Sequence, residues 1–386
     1  MKLLFALTYY HPHISGLTVY LQRLAEALAA RGHSVTILTS QHRRELAREE
    51  VINGVRVVRV PAGWRVSKGL LMPTYPRYVP GLVRAHDALM LNLPCTPVEA
   101  TVLPLVARYL IRRPIVATYY CDVLLPPGRF NRIVGEAVFL SNLAAGRLVE
   151  RIISLTDDYA RHSRFLRRFP EKYQSIAPAV QIGVPDAEAV REFRRCHAPQ
   201  GERLIGLAAR FASEKGVEYL LDALPSIAEK LGGVKLLLTG DPQSVVGEAD
   251  YWRRMQPRLA RAGGQCVFLG SLAWAEMPVF YAACDVTLLP SVNETESFGL
   301  VQLESMLCGT PVVASNLAGV RVPVETIGMG RLVPPRDSRA LAGAVVEVIE
   351  NRPAYVRTRA EIERHFSFEQ TVRAYEEMFE RLIRER

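Results

Sequence analysis

The sequence predicts an α/β chain built as two doubly wound domains, and three observations carry that prediction. Short apolar strands alternate with amphipathic helices from one end to the other. The alternation breaks once, in a Pro- and charge-rich stretch near the middle, and then restarts. The length, 386 residues, suits about two domains at roughly 100–200 residues each.

The opening KLLFALTYY reads as a first strand. Its short apolar run carries one lysine and lacks the small-residue cleavage site of a signal peptide. A loop leads to TVYLQRLAEALAARG, whose apolar residues at 17, 21, 24, 25 and 28 recur at helical spacing, with Gly32 just past the end. HSVTILTS follows as a strand. Strand, helix and strand in succession make a βαβ unit and imply a parallel sheet. Further strands are expected at 55–60 (VRVVRV), 88–93 (ALMLNL), 114–120 (PIVATYY) and 151–156 (RIISLT). The interruption, SIAPAVQIGVPDAEAVREFRRCHAPQGER, reads as a linker. Beyond it, strands are expected at 203–210, 234–240, 266–270, 286–290 and 311–315. The last stretch is one amphipathic helix with apolar residues at 368, 372, 375, 379 and 382. These readings give a Rossmann-like domain over 1–185, a second over 186–366, and a helix over 367–386 expected to pack back on the first. Two such domains facing a cleft would hold a ligand at the carboxyl ends of their strands.

Composition narrows the function. At 49% hydrophobic and 23% charged residues the chain is ordinary globular material. No apolar run approaches the ~18 residues of a membrane span. The cysteines at 95, 121, 196, 266, 284 and 308 form no CxxC pair, and no histidine cluster has zinc spacing. They read as free thiols of a cytoplasmic protein, with no metal site. The net charge is +9, and lysine supplies six of the 48 basic residues. A basic surface favours nucleotide phosphates, acidic lipid headgroups or nucleic acid. Nucleic acid is disfavoured, because no helix-turn-helix or aromatic RNA-binding pattern accompanies the charge.

Residues 293–304, NETESFGLVQLE, set Glu296 and Glu304 on either side of a segment with Leu300, Leu303 and Leu307 on one helical face and Gly309 at its end. A helix beginning at Ser297 would leave the N–H groups of Ser297, Phe298, Gly299 and Leu300 free to meet an anion, with Gly299 allowing close approach. Eight residues of helix span about 12 Å, close to the distance from a sugar across a pyrophosphate to a ribose. On that reading the backbone holds a diphosphate, and each acid accepts hydrogen bonds from hydroxyls at one end of a nucleotide sugar. The same residues read equally as an N-terminal charge complement and an exposed helix residue. In AARFASEKGVEYL, Arg210 stands at a strand end and Lys215 five residues on, before Gly216 and a helix. Arginine can clamp phosphate oxygens bidentately and lysine adds a compact charge, although solvated loop cations are the plainer alternative.

With LTGD, FLGSL, ACDVTLLPS and ESFGLVQLESMLCGTPVVAS in this order and spacing, these stretches resemble the donor domain of retaining glycosyltransferases of family 4, which have the B-type fold of two Rossmann-like domains facing a cleft. YYHPHISGLTVYLQRLAEALAARGHSVTILT resembles the opening of the same family, and the likeness covers nearly the whole chain. The Glu-x7-Glu element is specific only within its flanking pattern. The resemblance implies an N-terminal acceptor domain, a C-terminal donor domain, and retaining transfer from a nucleotide sugar, expected to be a UDP-sugar, to a hydroxyl. The nucleotide sugar is a substrate, so no cofactor and no metal are expected.

The resemblance further implies that Arg210 and Lys215 neutralise the donor pyrophosphate, that Glu296 contacts the transferred sugar and that Glu304 binds the ribose. The backbone of Phe298, Gly299 and Leu300 would touch sugar and phosphate, and Gly240 in LTGD and Gly270 in FLGSL would join the donor site. Gly16 would let the first loop approach the diphosphate, with Ser15 where the family usually has another glycine. In VATYYCDV (116–123), Tyr120 stands where family members commonly carry a histidine close to the reacting sugar. Its hydroxyl can donate a hydrogen bond, but a pKa of ~10 makes it a poor base. The front-face reaction that the resemblance implies needs no strong base, because the leaving phosphate takes the acceptor's proton. Asp122 is a candidate acceptor contact or a loop cap. His11 and His13 are candidates for the cleft or for the surface.

Departure of a nucleoside diphosphate spreads negative charge over its oxygens, and preorganised donors aimed there are worth about 3 kcal/mol each. The expected acceptor is a lipid or glycan hydroxyl. ARHSRFLRRFPEKY (160–173) sets Phe165, Leu166 and Phe169 among four arginines. That makes it a candidate for peripheral contact with an anionic membrane at the cytoplasmic face. LLPPGRFNRIVGEAVFL (124–140) is also apolar for a loop and helix. An ordinary helix with a solvated basic face is the alternative for both. Two rivals stand beside this reading. One is a catalytically weak or silent sugar-nucleotide binder, for which Tyr120 is the argument. The other is a phosphorylase or epimerase, for which no pyridoxal-phosphate or inorganic-phosphate motif is visible.

Overall fold

The computed structural model describes every residue except 68, 126, 127, 179, 241–247 and 386. Asp241 of LTGD, Pro126 and Pro127 of the 124–140 stretch, and Ala179 of the linker lie outside the described residues. The chain folds as two units, Met1–Pro178 with Glu369–Arg386, and Ala179–Phe368.

In the first unit the order is β1 (Lys2–Ala6), α1 (Gly16–Ala30), β2 (Ser34–Gln41), β3 (Glu49–Ile52), β4 (Val55–Pro61), α2 (Tyr75–Ala85), β5 (Ala88–Leu93), α3 (Pro97–Leu105), β6 (Ile115–Tyr119), α4 (Arg129–Leu148), β7 (Arg151–Ser154) and β8 (Tyr173–Ser175). The sheet runs β8-β7-β6-β5-β1-β2-β4-β3, parallel throughout except where β3 pairs antiparallel with β4. Every residue of β5 is buried, as a strand covered on both faces must be. Strand order reverses between β1 and β5, which makes their carboxyl ends the switch point of this sheet.

The terminal helix belongs to this unit. Its apolar face is buried at Val372, Tyr375, Phe379 and Leu382, with the Phe379 ring 5.9 Å from Phe5 of β1. Burying Phe379 alone stabilises the packing by about 1.5–3 kcal/mol. The Thr371 hydroxyl donates to the Ala177 carbonyl at 2.9 Å, which ties the helix to the last residues of the unit before the chain leaves it.

The second unit contains α5 (Ala187–His197), β9 (Arg203–Ala208), α6 (Val217–Leu231), β10 (Val234–Thr239), α7 (Ala249–Ala262), β11 (Cys266–Gly270), α8 (Met277–Ala283), β12 (Val286–Leu289), α9 (Leu300–Leu307), β13 (Val312–Ser315), α10 (Arg321–Ile327), β14 (Gly330–Val333) and α11 (Ser338–Glu350), followed by two short helices. The terminal helix, α12, is Phe368–Arg384. The sheet is parallel in the order β11-β10-β9-β12-β13-β14, so the order reverses between β9 and β12.

Three features differ from the sequence reading. The expected linker contains α5, and Val180 and Ile182 ahead of it are buried in the second unit, where Arg359 donates to the Ile182 carbonyl at 2.5 Å. The division therefore falls after Pro178 rather than at 185/186. Strands β3, β8 and β14, of three or four residues each, are too short to show a period. Phe165, Leu166 and Phe169 of the 160–173 stretch are core, not a membrane-facing surface. Phe165 stacks on Tyr119 with centroids 4.2 Å apart, and Phe169 lies 5.2 Å from Phe165. A Cβ on Gly146 of α4 would come within 2.6 Å of the Phe169 ring, so this glycine lets ring and helix meet.

Candidate functional site

The candidate donor residues come from the loops that follow the two strands at the switch point of the second unit. After β9 the chain runs through Ala209 and Arg210 into a 3₁₀ turn at Ser213–Lys215, and Gly216 (φ 64°) opens α6. After β12 it runs through Pro290 to Gly299. A backbone hydrogen bond joins the loops, from the Val292 N–H to the Glu214 carbonyl at 2.9 Å. A Cβ on Gly216 would lie 2.2 Å from the Pro290 carbonyl oxygen. Only glycine suits both this approach and this φ.

That seam brings the charged side chains together. Lys215 Nζ is paired with Glu296 Oε2, both largely buried, and the Ser291 hydroxyl approaches the same carboxylate at 3.5 Å. Arg210 Nη2 donates to Glu214 Oε1 at 2.9 Å. The Glu214 side chain is buried while that of Arg210 is 44% exposed, so the guanidinium is held from one side and open on the other.

Helix α9 begins at Leu300, three residues later than expected, because Gly299 sits at φ 77°, ψ 73°, a left-handed conformation that cannot continue a helix. Ser297 and Phe298 therefore precede the helix as a turn. A Cβ on Gly299 would strike Leu289 at 2.2 Å. The turn is strapped from behind by Gln302, whose side-chain amide donates to the carbonyls of Phe298 at 2.7 Å and Val320 at 2.9 Å.

Glu304 is buried rather than exposed, and the Tyr281 hydroxyl donates to its Oε2 at 2.7 Å. Burial first, and then this carboxylate, push the Tyr281 pKa well above its ordinary value. Gly240 and Gly270 close the neighbouring edge: Gly240 N–H donates to the Gly270 carbonyl at 2.9 Å, and a Cβ on Gly240 would lie 2.2 Å from the Ala209 carbonyl oxygen.

The first unit treats its candidate residues differently. Gly16 is the first residue of α1, capped by Ser15, with open space where a Cβ would stand. His11 is exposed, and its carbonyl accepts from Arg59 at 3.0 Å. His13 packs beside Tyr9 and His42, with ring centroids 4.8 and 6.0 Å away. The Tyr120 ring is buried and its hydroxyl donates to Asn92 Oδ1 at 2.9 Å. Burial raises its pKa well above the usual phenol value.

Asp122 is also buried. Its carboxylate accepts from the Tyr119 hydroxyl at 2.7 Å, the Ser163 hydroxyl at 3.1 Å and the Arg164 N–H at 2.9 Å. These are the bonds of a loop cap.

Sequence reasoning passed over Glu214, Gln302, Ser291 and Tyr281. Glu214, four residues from Arg210, carried a readable pairing signal. Ser291 and Gln302 act on residues five and four positions away, Glu296 and Phe298, but their sequence context does not mark them, and Tyr281 becomes visible only when α8 and α9 are adjacent.

Comparison with known proteins places the chain. The pattern described as "Glycosyl transferase 4-like domain" matches residues 15–179, and that described as "Glycosyl transferases group 1" matches residues 202–351. A phosphatidyl-myo-inositol mannosyltransferase of Mycobacterium tuberculosis is 30% identical over 347 residues, which is 87% of this chain and 84% of that protein. The chain belongs to the group 1, family 4 glycosyltransferases.

This glycosyltransferase shares its B-type fold of two Rossmann-like domains with solved relatives. Sucrose-phosphate synthase from Thermosynechococcus elongatus matches with a TM-score of 0.81 at 22% identity, covering 100% of both chains. HepE of Anabaena, solved with UDP-glucose, matches with a TM-score of 0.77 at 21% identity, covering 98% of this chain and 99% of that one. Among the described residues, no helix of the glycosyltransferase is long and apolar enough to cross a membrane.

Proposed function

We propose that this glycosyltransferase moves a sugar from a UDP-sugar, with retention of anomeric configuration and without a metal ion, to a hydroxyl borne on a lipid. One observation carries the reading. At the switch point of the second unit, two backbone-linked loops gather Arg210, Lys215 and Glu296 beside the Gly299 turn.

On this reading the incoming diphosphate competes for Lys215 and Arg210, and Glu296 is released to accept hydroxyls of the sugar. The two cations supply the positive charge that a divalent metal gives in other sugar-nucleotide enzymes. The acceptor oxygen bonds to C1 on the face from which the phosphate departs, the C1–O bond to the diphosphate breaks, and the acceptor's proton passes to a phosphate oxygen. No side-chain base is needed, in keeping with a Tyr120 hydroxyl already committed to Asn92.

The UDP-glucose complex of HepE and the phosphatidyl-myo-inositol acceptor in the name of the mycobacterial relative support the choice of donor and acceptor class. Calorimetric titration with UDP and with other nucleoside diphosphates, followed by an NMR assay of donor turnover in EDTA, tests it. A preference for UDP, turnover in EDTA and a product with the donor's anomeric configuration are expected. An inverted product, or a requirement for added metal, would refute the corresponding part. Nucleotide binding without turnover would indicate the silent binder instead.

A further inference from the structure

One face of the first half of α4 is left open among the described residues. The buried residues of this helix, Ser141, Asn142, Ala145 and Gly146, all lie in its second half. Ahead of them Phe130 is 62% exposed, Ile133 70% and Leu140 61%. With Ala137, also exposed, they recur at three- and four-residue steps and form one outward stripe. Leu124, 52% exposed, precedes the helix. Helices owe most of their stability in proteins to a packed apolar face, and among the described residues this stripe stays mostly exposed.

The surroundings of the stripe are cationic. Arg129 and Arg132 flank it on one side, both exposed, and neither forms an ion pair among the described residues. Arg164 across the loop is paired with Glu136 at 2.9 Å, and the Arg132 charge acts on that same carboxylate, so three arginines stand against one acid and the excess sets the local sign. Because α4 follows β6, its exposed half starts at the carboxyl end of the sheet, the end at which α/β proteins hold their ligands.

We propose that the stripe Phe130–Ile133–Ala137–Leu140, with Arg129 and Arg132, is the surface by which this protein docks on an anionic lipid bilayer. The helix lies in the plane of the interface, its apolar side chains enter the headgroup–acyl boundary and its arginines pair with lipid phosphates. The carboxyl edge of the first sheet is thereby set beside the membrane, where a lipid-borne hydroxyl is presented. The inference deepens the proposed function and rests on it for the identity of the acceptor, but not for the surface itself. A second copy is a poorer occupant, since a two-fold contact through this stripe would bring the unmatched arginines of two chains together. The 160–173 stretch cannot serve, since Phe165, Leu166 and Phe169 are core.

Vesicle co-sedimentation of the full chain tests the proposal, using equal parts phosphatidylcholine and phosphatidylglycerol against phosphatidylcholine alone. The wild type should partition onto the anionic vesicles and should be released by salt. The triple variant Phe130→Ser/Ile133→Ser/Leu140→Ser should lose about tenfold or more of that partition. Arg129→Gln/Arg132→Gln should lose several-fold and flatten the salt dependence. Val51→Ser, at a residue 70% exposed on the opposite edge strand, should change nothing.

UDP affinity and melting temperature report that the variants remain folded. Partition unchanged in the triple variant would overturn the proposal. So would a concentration-dependent dimer, seen by ultracentrifugation, that the triple variant abolishes. Vesicle binding lost in the variant, combined with no sugar transfer to any lipid by the wild type, would sink the lipid-acceptor reading and leave the surface standing.

Discussion

The loops of the second unit and the strand ends of the first each gather polar side chains near a switch point, yet they use them in opposite ways. Around Arg210, Lys215 and Glu296 each cation has one carboxylate partner, and the Arg210 guanidinium is 44% exposed. Around Tyr120 and Asp122 the polar atoms are consumed by their neighbours: one carboxylate takes three donors, and one phenol is committed to Asn92. A group paired once and left partly open can exchange its partner for a ligand at modest cost. A buried group that is fully satisfied must first leave stranded donors behind. The number of partners, more than the residue type, separates candidate chemistry from scaffold.

The sharpest test is to remove the charge from the open cluster. Lys215→Ala should lower kcat/KM by about a hundredfold or more, the scale of one lost transition-state donor, and should also lower the melting temperature, because it leaves the largely buried Glu296 without its cation. Glu296→Gln should act similarly, because it keeps the shape and loses the charge. Steady-state kinetics beside thermal melts decide it, and unaltered turnover in either variant would break the comparison from the catalytic side.

The closed cluster should respond in the reverse sense. Asp122→Ala strands two hydroxyls and the Arg164 N–H in a buried site and should destabilise the fold by about 2–3 kcal/mol. Among enzyme molecules that remain folded, kcat/KM should change little. Chemical denaturation with and without UDP measures both, and a loss of turnover at unchanged stability would place Asp122 in the acceptor site after all. Tyr120→Phe is milder. It leaves Asn92 Oδ1 without the bond from Tyr120, although the Asn92 amide still donates to the Ala6 carbonyl at 3.0 Å. A cost of about 1 kcal/mol with turnover kept is expected; a large loss of turnover would give the phenol a chemical role.

How far the sequence reveals this contrast depends on what each signal needs. The longer strands of both sheets are legible because a buried parallel strand is a continuous apolar run, as ALMLNL is over 88–93. Arg210 and Lys215 are readable as loop cations after such a strand, but solvated cations look the same there, and only the order of the flanking stretches sets these two apart. The start of α9 is not legible. It depends on the left-handed Gly299 pressed against Leu289 and on the amide of Gln302 bonded to Val320, and both partners are set by tertiary contact. The 160–173 stretch misleads for a related reason. Its four arginines suggest a surface, while a glycine on another helix, Gly146, makes room for Phe169 in the core. Fully satisfied and partly open side chains look alike in a sequence, because satisfaction is a property of neighbours distant along the chain.

A third class of polar contact, at the surface and away from both clusters, sets the lower limit of the comparison. Glu376 of α12 accepts from His33 Nε2 and from Arg31, both at 2.6 Å. The His33 bond first, and then the Arg31 bond, hold its carboxyl below the ordinary range, against the opposing effect of burial. A depressed pKa in the folded state means stability that is present above the unfolded value, ~4.3, and lost as pH falls through the folded value. Glu376→Gln should therefore cost stability at pH 7, and the gap from wild type should close as the solution is acidified below pH ~4. At a partly exposed site the effect should stay within about 1 kcal/mol, smaller than for Asp122→Ala. Urea midpoints of the two proteins at neutral and acid pH measure it. A gap that widens in acid would reverse the sign of the linkage, and a gap as large as that of Asp122→Ala would mean that a half-open ion pair can stabilise this fold as much as a closed one.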